Sequence, residues 1–106
     1  MDARTQTIIS ELRKRLERIY DSRLVSVLLY GSRARGDAEA GSDIDLLVVL
    51  DGRVDPGKEI DRTGDITSRL SLEHNVVVSC LFVSAERYAT EQSPMLLNVR
   101  REGVAV

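Results

Sequence analysis

Apolar residues recur at Ile8, Ile9, Leu12, Leu16 and Ile19, with arginines and glutamates between them. This spacing lays one apolar stripe along an amphipathic helix from about Arg4 to Asp21. The pattern then changes. Leu24 to Tyr30 is a short run rich in Val and Leu, bounded by Asp21-Ser22 and Gly31-Ser32, and it predicts a buried strand. A polar stretch from Gly31 to Ser42 separates it from a second strand over Ile44 to Leu50, which is apolar on both faces after Asp43 and Asp45.

Turn signals at Asp51-Gly52 and Pro56-Gly57 precede a second helix over Lys58 to Leu72, with Ile60, Ile66 and Leu70 as its inner residues. Gly64 in its middle weakens that helix by about 1 kcal/mol relative to Ala. Val76 to Val83 is the third and most apolar strand. Ser84 is placed to cap a short helix over Ala85 to Thr90, and Ser93-Pro94 opens a last helix that Gly103 stops. Val104 to Val106 returns as a short edge strand. The order predicts an α/β protein of the α+β type, a small mixed sheet of three to four strands with helices packed on it.

With 106 residues, the chain has room for one core, so residues 1–106 are expected to form a single domain. A domain this small buries a modest share of its surface, and a partner chain would help it. Charged residues at 30% and hydrophobic residues at 42% mark a globular chain rather than a disordered one. The net charge of −2 provides no basic stripe for non-specific nucleic-acid binding, so a nucleic-acid partner is not indicated. A local arginine cluster can still hold one phosphate chain. No apolar stretch approaches the roughly 20 residues that span a bilayer, and Met1 to Gln6 is polar, unlike a secretory signal. The single cysteine, Cys80, lies in an apolar run and reads as a small buried hydrophobe. The expected location is cytoplasmic.

Two features carry chemistry. Asp43 and Asp45, at positions i and i+2 of a strand, share one face with Cα atoms roughly 6.5–7 Å apart. Two carboxylates so placed repel each other, and a divalent cation held with substrate phosphates relieves this. A pair of ions about 3.5–4 Å apart is the usual clamp for phosphoryl chemistry, and Asp-x-Asp has the reach for both. Gly31-Ser32 follows a strand and opens a turn, where backbone N–H groups and a hydroxyl can cradle phosphate oxygens. Arg33 and Arg35 can add charge to such a cradle. Each feature also has a plain reading: strand-end aspartates in water, an ordinary turn, loop glycines at Gly36 and Gly41, solvated arginines. His74 before Asn75 reads as an exposed turn histidine, and Arg13-Lys14-Arg15 with Arg18 as the solvated face of the first helix.

The features also stand at a fixed spacing. Gly31-Ser32-Arg33-Ala34-Arg35-Gly36, five residues, then Ser42-Asp43-Ile44-Asp45-Leu46 resembles the signature of the DNA polymerase β-like nucleotidyltransferase superfamily. It is most similar to the minimal nucleotidyltransferases of bacteria and archaea, and the resemblance covers most of the chain. It implies that Gly31 and Ser32 hold the outer phosphates of a nucleoside triphosphate, with Arg35 in the same loop and Ser42 among the nucleotide-binding residues. It implies that Asp43 and Asp45 bind Mg²⁺ and serve as the catalytic pair. The implied reaction transfers a nucleoside monophosphate, typically AMP from ATP, to a hydroxyl, with pyrophosphate leaving.

The chain departs from that pattern in one respect. Active members usually carry a third carboxylate on the next strand, whereas Val76 to Val83 contains no acid and offers Ser79. Asp51, Asp65 and Glu73 are not well placed to substitute. Two readings therefore stand side by side: an enzyme modifying a protein or small-molecule hydroxyl, and an antitoxin-like subunit that binds nucleotide without turnover. Relatives of this type are often paired with a helical partner of the HEPN class, so such a partner or a homodimer is expected to complete the site.

Overall fold

The computed structural model describes residues 2–36 and 42–106. Helix α1 spans Ala3–Tyr20, begun by Asp2, whose carboxylate accepts the Thr5 N–H at 2.7 Å. A short 3-10 turn, Asp21–Arg23, leads into strand β1, Leu24–Tyr30. One turn of helix, α2, covers Ser32–Arg35, and β2 covers Ile44–Leu50. Helix α3 runs Pro56–His74 from an Asp55 cap, and β3 runs Val78–Ser84. Helices α4, Ala85–Thr90, and α5, Pro94–Glu102, precede the two-residue strand β4, Val104–Ala105. Gly41 and its neighbours in the polar stretch, residues 37–41, lie outside the described residues.

The strands form one mixed sheet in the order β3-β2-β1-β4. β1 lies antiparallel to both β2 and β4, whereas β2 and β3 are parallel and joined through α3. β2 is therefore central, and side chains on both of its faces must be covered. Ile44, Leu46, Val48 and Leu50 pack under α1 and α3 with Leu12, Leu16 and Leu70. Leu47 and Val49 face the other way, against Leu96 and Val99 of α5. This two-sided burial is the reason β2 reads as an unbroken apolar run. Truncating a fully buried leucine such as Leu16 costs about 2–5 kcal/mol.

Helix α3 differs from the expected face. Its inner side is Glu59, Thr63, Ile66 and Leu70, whereas Ile60 is 49% exposed. Spacings of four, three and four residues define that stripe, and Ile60 lies one residue off it. Glu59 is buried because the Tyr20 hydroxyl donates to its Oε1 at 2.9 Å and Arg62 stands 3.7 Å away. Burial and this hydrogen bond push the Tyr20 phenol above its ordinary pKa. No helix among the described residues is long and apolar enough to cross a membrane.

Candidate active site

The sheet register assembles the polar residues at one end of the strands. Tyr30 at the end of β1 pairs with Asp45, and Asp45 pairs with Ser79 on β3. Directly paired residues share a face, so Tyr30, Asp45 and Ser79 form a row across three strands. Asp43 stands two residues before Asp45 on the same side of the chain. It is exposed, whereas Asp45 is half-buried. Burial, and then the nearby charge of Asp43, push the Asp45 carboxyl above its ordinary pKa. The Tyr30 phenol is raised as well, by burial first and by Asp45 next. A carboxylate held this way gains from an adjacent cation, so the oxygen donors of Asp43 and Asp45 fit a hard divalent ion such as Mg²⁺.

Gly31 connects the row to the loop. Its φ of 77° and ψ of −158° lie in a region open essentially to glycine alone. Space imposes the same choice, because a Cβ on Gly31 would stand 2.8 Å from Asp45 Oδ2. The chain then turns at once into α2, where the Gly31 carbonyl accepts the Ala34 and Arg35 N–H groups, both at 3.2 Å. Gly36, left-handed at φ 80°, ends the turn. Ser32 is thus the first residue of a helical turn, where amide N–H groups have no carbonyl behind them.

Arg33 is neither a solvated charge nor an open phosphate ligand. Its Nε and Nη2 donate to the Ser42 carbonyl at 3.0 and 2.6 Å, and its Nε also reaches the Asp43 carbonyl at 3.3 Å. Its Nη1 donates to Thr5 Oγ1 at 3.0 Å. One guanidinium therefore ties α2 to the backbone that presents Ser42 and Asp43, and both to the start of α1. Arg35 is exposed and lies on the other side of the loop, with Nη1 3.9 Å from Glu102 Oε2 of α5. Tyr30, Gly31, Arg35, Asn98 and Glu102 line a cleft of about 180 Å³ between the loop and α5.

The structure thus brings Gly31, Asp45 and Ser79 to one end of the sheet, with Asp43 and Ser42 leading into β2. The register of Tyr30 with Asp45, the tether made by Arg33 and the nearness of Glu102 to Arg35 escaped sequence reasoning. Tyr30 ends an apolar strand without any motif, and its register with Asp45 becomes visible only once β1 and β2 pair. Arg33 stood out in the sequence only as a charge for the cradle, and its tether gives no signal because its backbone acceptors lie nine and ten residues away.

Cys80, on the opposite face from Asp45, packs against the α1–α3 core, and burial pushes its thiol up to about 12. Two other readings change. Arg13 donates to the Val106 carbonyl at 2.6 Å and to Glu17 at 3.1 Å, so it is not simply solvated. His74 is half-buried at the end of α3 instead of exposed in a turn, because Glu11 of α1 lies over it, 3.8 Å from Nε2.

Comparison with known proteins agrees with this geometry. The family model described as "Nucleotidyltransferase domain" matches residues 9–97. Two proteins of Methanocaldococcus jannaschii, both named as candidate protein adenylyltransferases, are each 36% identical. The first aligns over 72 residues, 68% of this chain and 72% of its own length. The second aligns over 80 residues, 76% of this chain and 74% of its own. A toxin–antitoxin crystal structure with AMP-PNP shares the fold at a TM-score of 0.61 and 18% identity, covering 89% of this chain and 68% of that one. A crystal structure of a candidate nucleotidyltransferase from Sulfolobus solfataricus shares it at a TM-score of 0.56 and 22% identity, covering 99% and 86%. With a mixed sheet, a glycine turn packed on an Asp-x-Asp strand and a family match across most of its length, the chain belongs to the nucleotidyltransferase domain family.

Proposed function

We propose that this chain is a Mg²⁺-dependent adenylyltransferase, moving AMP from ATP to a hydroxyl of a protein or small molecule. The observation that carries this reading is the close approach of Gly31 to Asp45, which sets the glycine turn directly against the Asp-x-Asp strand. Asp43 and Asp45 would hold the metal, and Mg²⁺ there supplies charge neutralisation for the triphosphate and the leaving pyrophosphate. Gly31 lets the outer phosphates approach the backbone, and the Ser32 hydroxyl and the Ser32 and Arg33 amides at the start of α2 would donate hydrogen bonds to their oxygens. Arg35 adds a cation at the loop's outer side, and Ser42 stands at the entry to the aspartate strand. Arg33 positions these parts without touching phosphate.

The acceptor oxygen bonds to the α-phosphorus while the bond to the bridging α–β oxygen breaks. Pyrophosphate leaves, and the hydroxyl proton passes to water. This chemistry depends on positioning and charge more than on a reactive side chain, which suits a site built of two carboxylates and a glycine turn. The names of the M. jannaschii relatives support protein as the acceptor class. Transfer of label from α-³²P-ATP to candidate acceptor proteins tests the proposal, with transfer expected from the wild type and none from Asp45→Asn. Equal labelling by both would refute it.

A second reading rests on Ser79. The register sets this residue, and not an acid, beside Asp45 where a third metal ligand would stand. On this reading the chain binds nucleotide as an antitoxin-like subunit and pairs with a helical partner of the HEPN class. The likeness to toxin–antitoxin structures supports a protein partner. Efficient turnover by the isolated monomer would count against it.

A further inference from the structure

Away from the aspartate row, the middle of α1 meets the last turn of α3. Glu11 comes from α1, whereas Glu73 and His74 close α3. One donor atom from each of these three residues lies within 4.8 Å of the other two. His74 Nε2 is shielded from solvent and has no hydrogen-bond partner. Glu11 Oε2, at 3.8 Å, is beyond hydrogen-bond reach. Shielded polar atoms are normally partnered, so this nitrogen calls for an explanation. The electrostatics point the same way: two carboxylates stand at the C-terminal end of a helix, where the backbone already makes the field negative. A cation relieves both conditions at once.

We infer that Glu11, Glu73 and His74 form a binding site for a transition-metal dication of the Zn²⁺ kind, clamping α1 to the end of α3. The imidazole selects the metal class, because nitrogen donors suit Zn²⁺ while Mg²⁺ prefers oxygen alone. Three protein ligands and one water make a four-coordinate shell. At Zn–ligand distances of about 2.0–2.2 Å the donors stand roughly 3.5 Å apart, so they must draw in by about 1 Å or a little more. Glu11, with its side chain 46% exposed, is free to make that move by changing rotamer. The clamp fixes the end of α3, from which the chain passes through the left-handed Asn75 into β3. It shares no ligand with the Asp43–Asp45 pair.

Zinc chloride titrated calorimetrically into the full chain, with millimolar Mg²⁺ present to fill oxygen-only sites, tests the inference. One Zn²⁺ per chain with micromolar affinity is expected, together with a rise of several degrees in Tm. His74→Ala and Glu73→Gln should each weaken binding at least tenfold and abolish the Tm rise, whereas Asp45→Asn should retain both. Absence of Zn²⁺ binding, or binding unchanged in His74→Ala, would overturn it. Loss of binding in Asp45→Asn alone would also overturn it, by placing the zinc on the aspartate strand.

Discussion

Gly31 and Asp45 stand so close that a single methyl group on the glycine would fall 2.8 Å from the Asp45 Oδ2. The turn after β1 and the carboxylate of β2 therefore occupy one small volume, and neither can change without disturbing the other. Gly31→Ala meets both a clash and a backbone conformation that alanine avoids, at φ 77° and ψ −158°. The substitution is expected to cost about 1–3 kcal/mol in urea unfolding and to weaken ATP binding at least tenfold. An alanine variant with wild-type stability and affinity would show that this approach has no functional weight.

Asp45 gives a pH dependence whose sign is unusual for a carboxylate. Its pKa in the folded chain is raised by burial and by Asp43, so between the unfolded and folded values the native state holds more protons. Asp45 therefore opposes folding above that window, and its penalty disappears as the pH falls through it. Without divalent cations, Asp45→Asn should be more stable than the wild type at pH 7, with the difference shrinking toward pH 4. Added Mg²⁺ should stabilise the wild type and leave the variant unchanged. Chemical denaturation across pH, with and without Mg²⁺, reads both effects.

Arg33 is a positioning residue, and its variants separate that role from phosphate binding. Arg33→Ala removes the hydrogen bonds to the Ser42 and Asp43 carbonyls and to Thr5, and should cost about 1–3 kcal/mol of stability. Arg33→Lys should recover little, because one ammonium cannot span the same fork of acceptors. Full recovery by lysine would mean that charge, not geometry, is what the site uses.

Ser79→Asp places an acid beside Asp45 on the neighbouring strand. In the absence of metal, the added charge should lower stability by repulsion. In Mg²⁺ it should tighten metal binding and raise nucleotidyl transfer several-fold. Tighter metal binding without any transfer would favour the reading as a nucleotide-binding partner subunit.

Much of this arrangement was legible in the sequence, for physical reasons that differ by element. β2 matched its apolar run because a strand covered on both faces admits almost no polar residue, and β1 matched through its buried half, Val27 to Leu29. Helices α4 and α5 began where Ser84 and Ser93 promised, since a hydroxyl cap is a local device. Ile60 was misplaced because the buried side of α3 includes Glu59, whose partner Tyr20 lies 39 residues away and cannot be read from local periodicity. At the site, spacing was enough to single out Gly31, Ser32, Asp43 and Asp45. Pairing them with Tyr30 and Ser79 required the register, and the Arg33 tether required the folded backbone.

Calorimetric titration of ATP into the wild type and Asp45→Asn, each with and without Mg²⁺, tests the central claim most directly. Binding by the wild type only when Mg²⁺ is present, and weakened at least tenfold in Asp45→Asn, is the predicted result. Binding that is indifferent to both the metal and the aspartate would contradict the account.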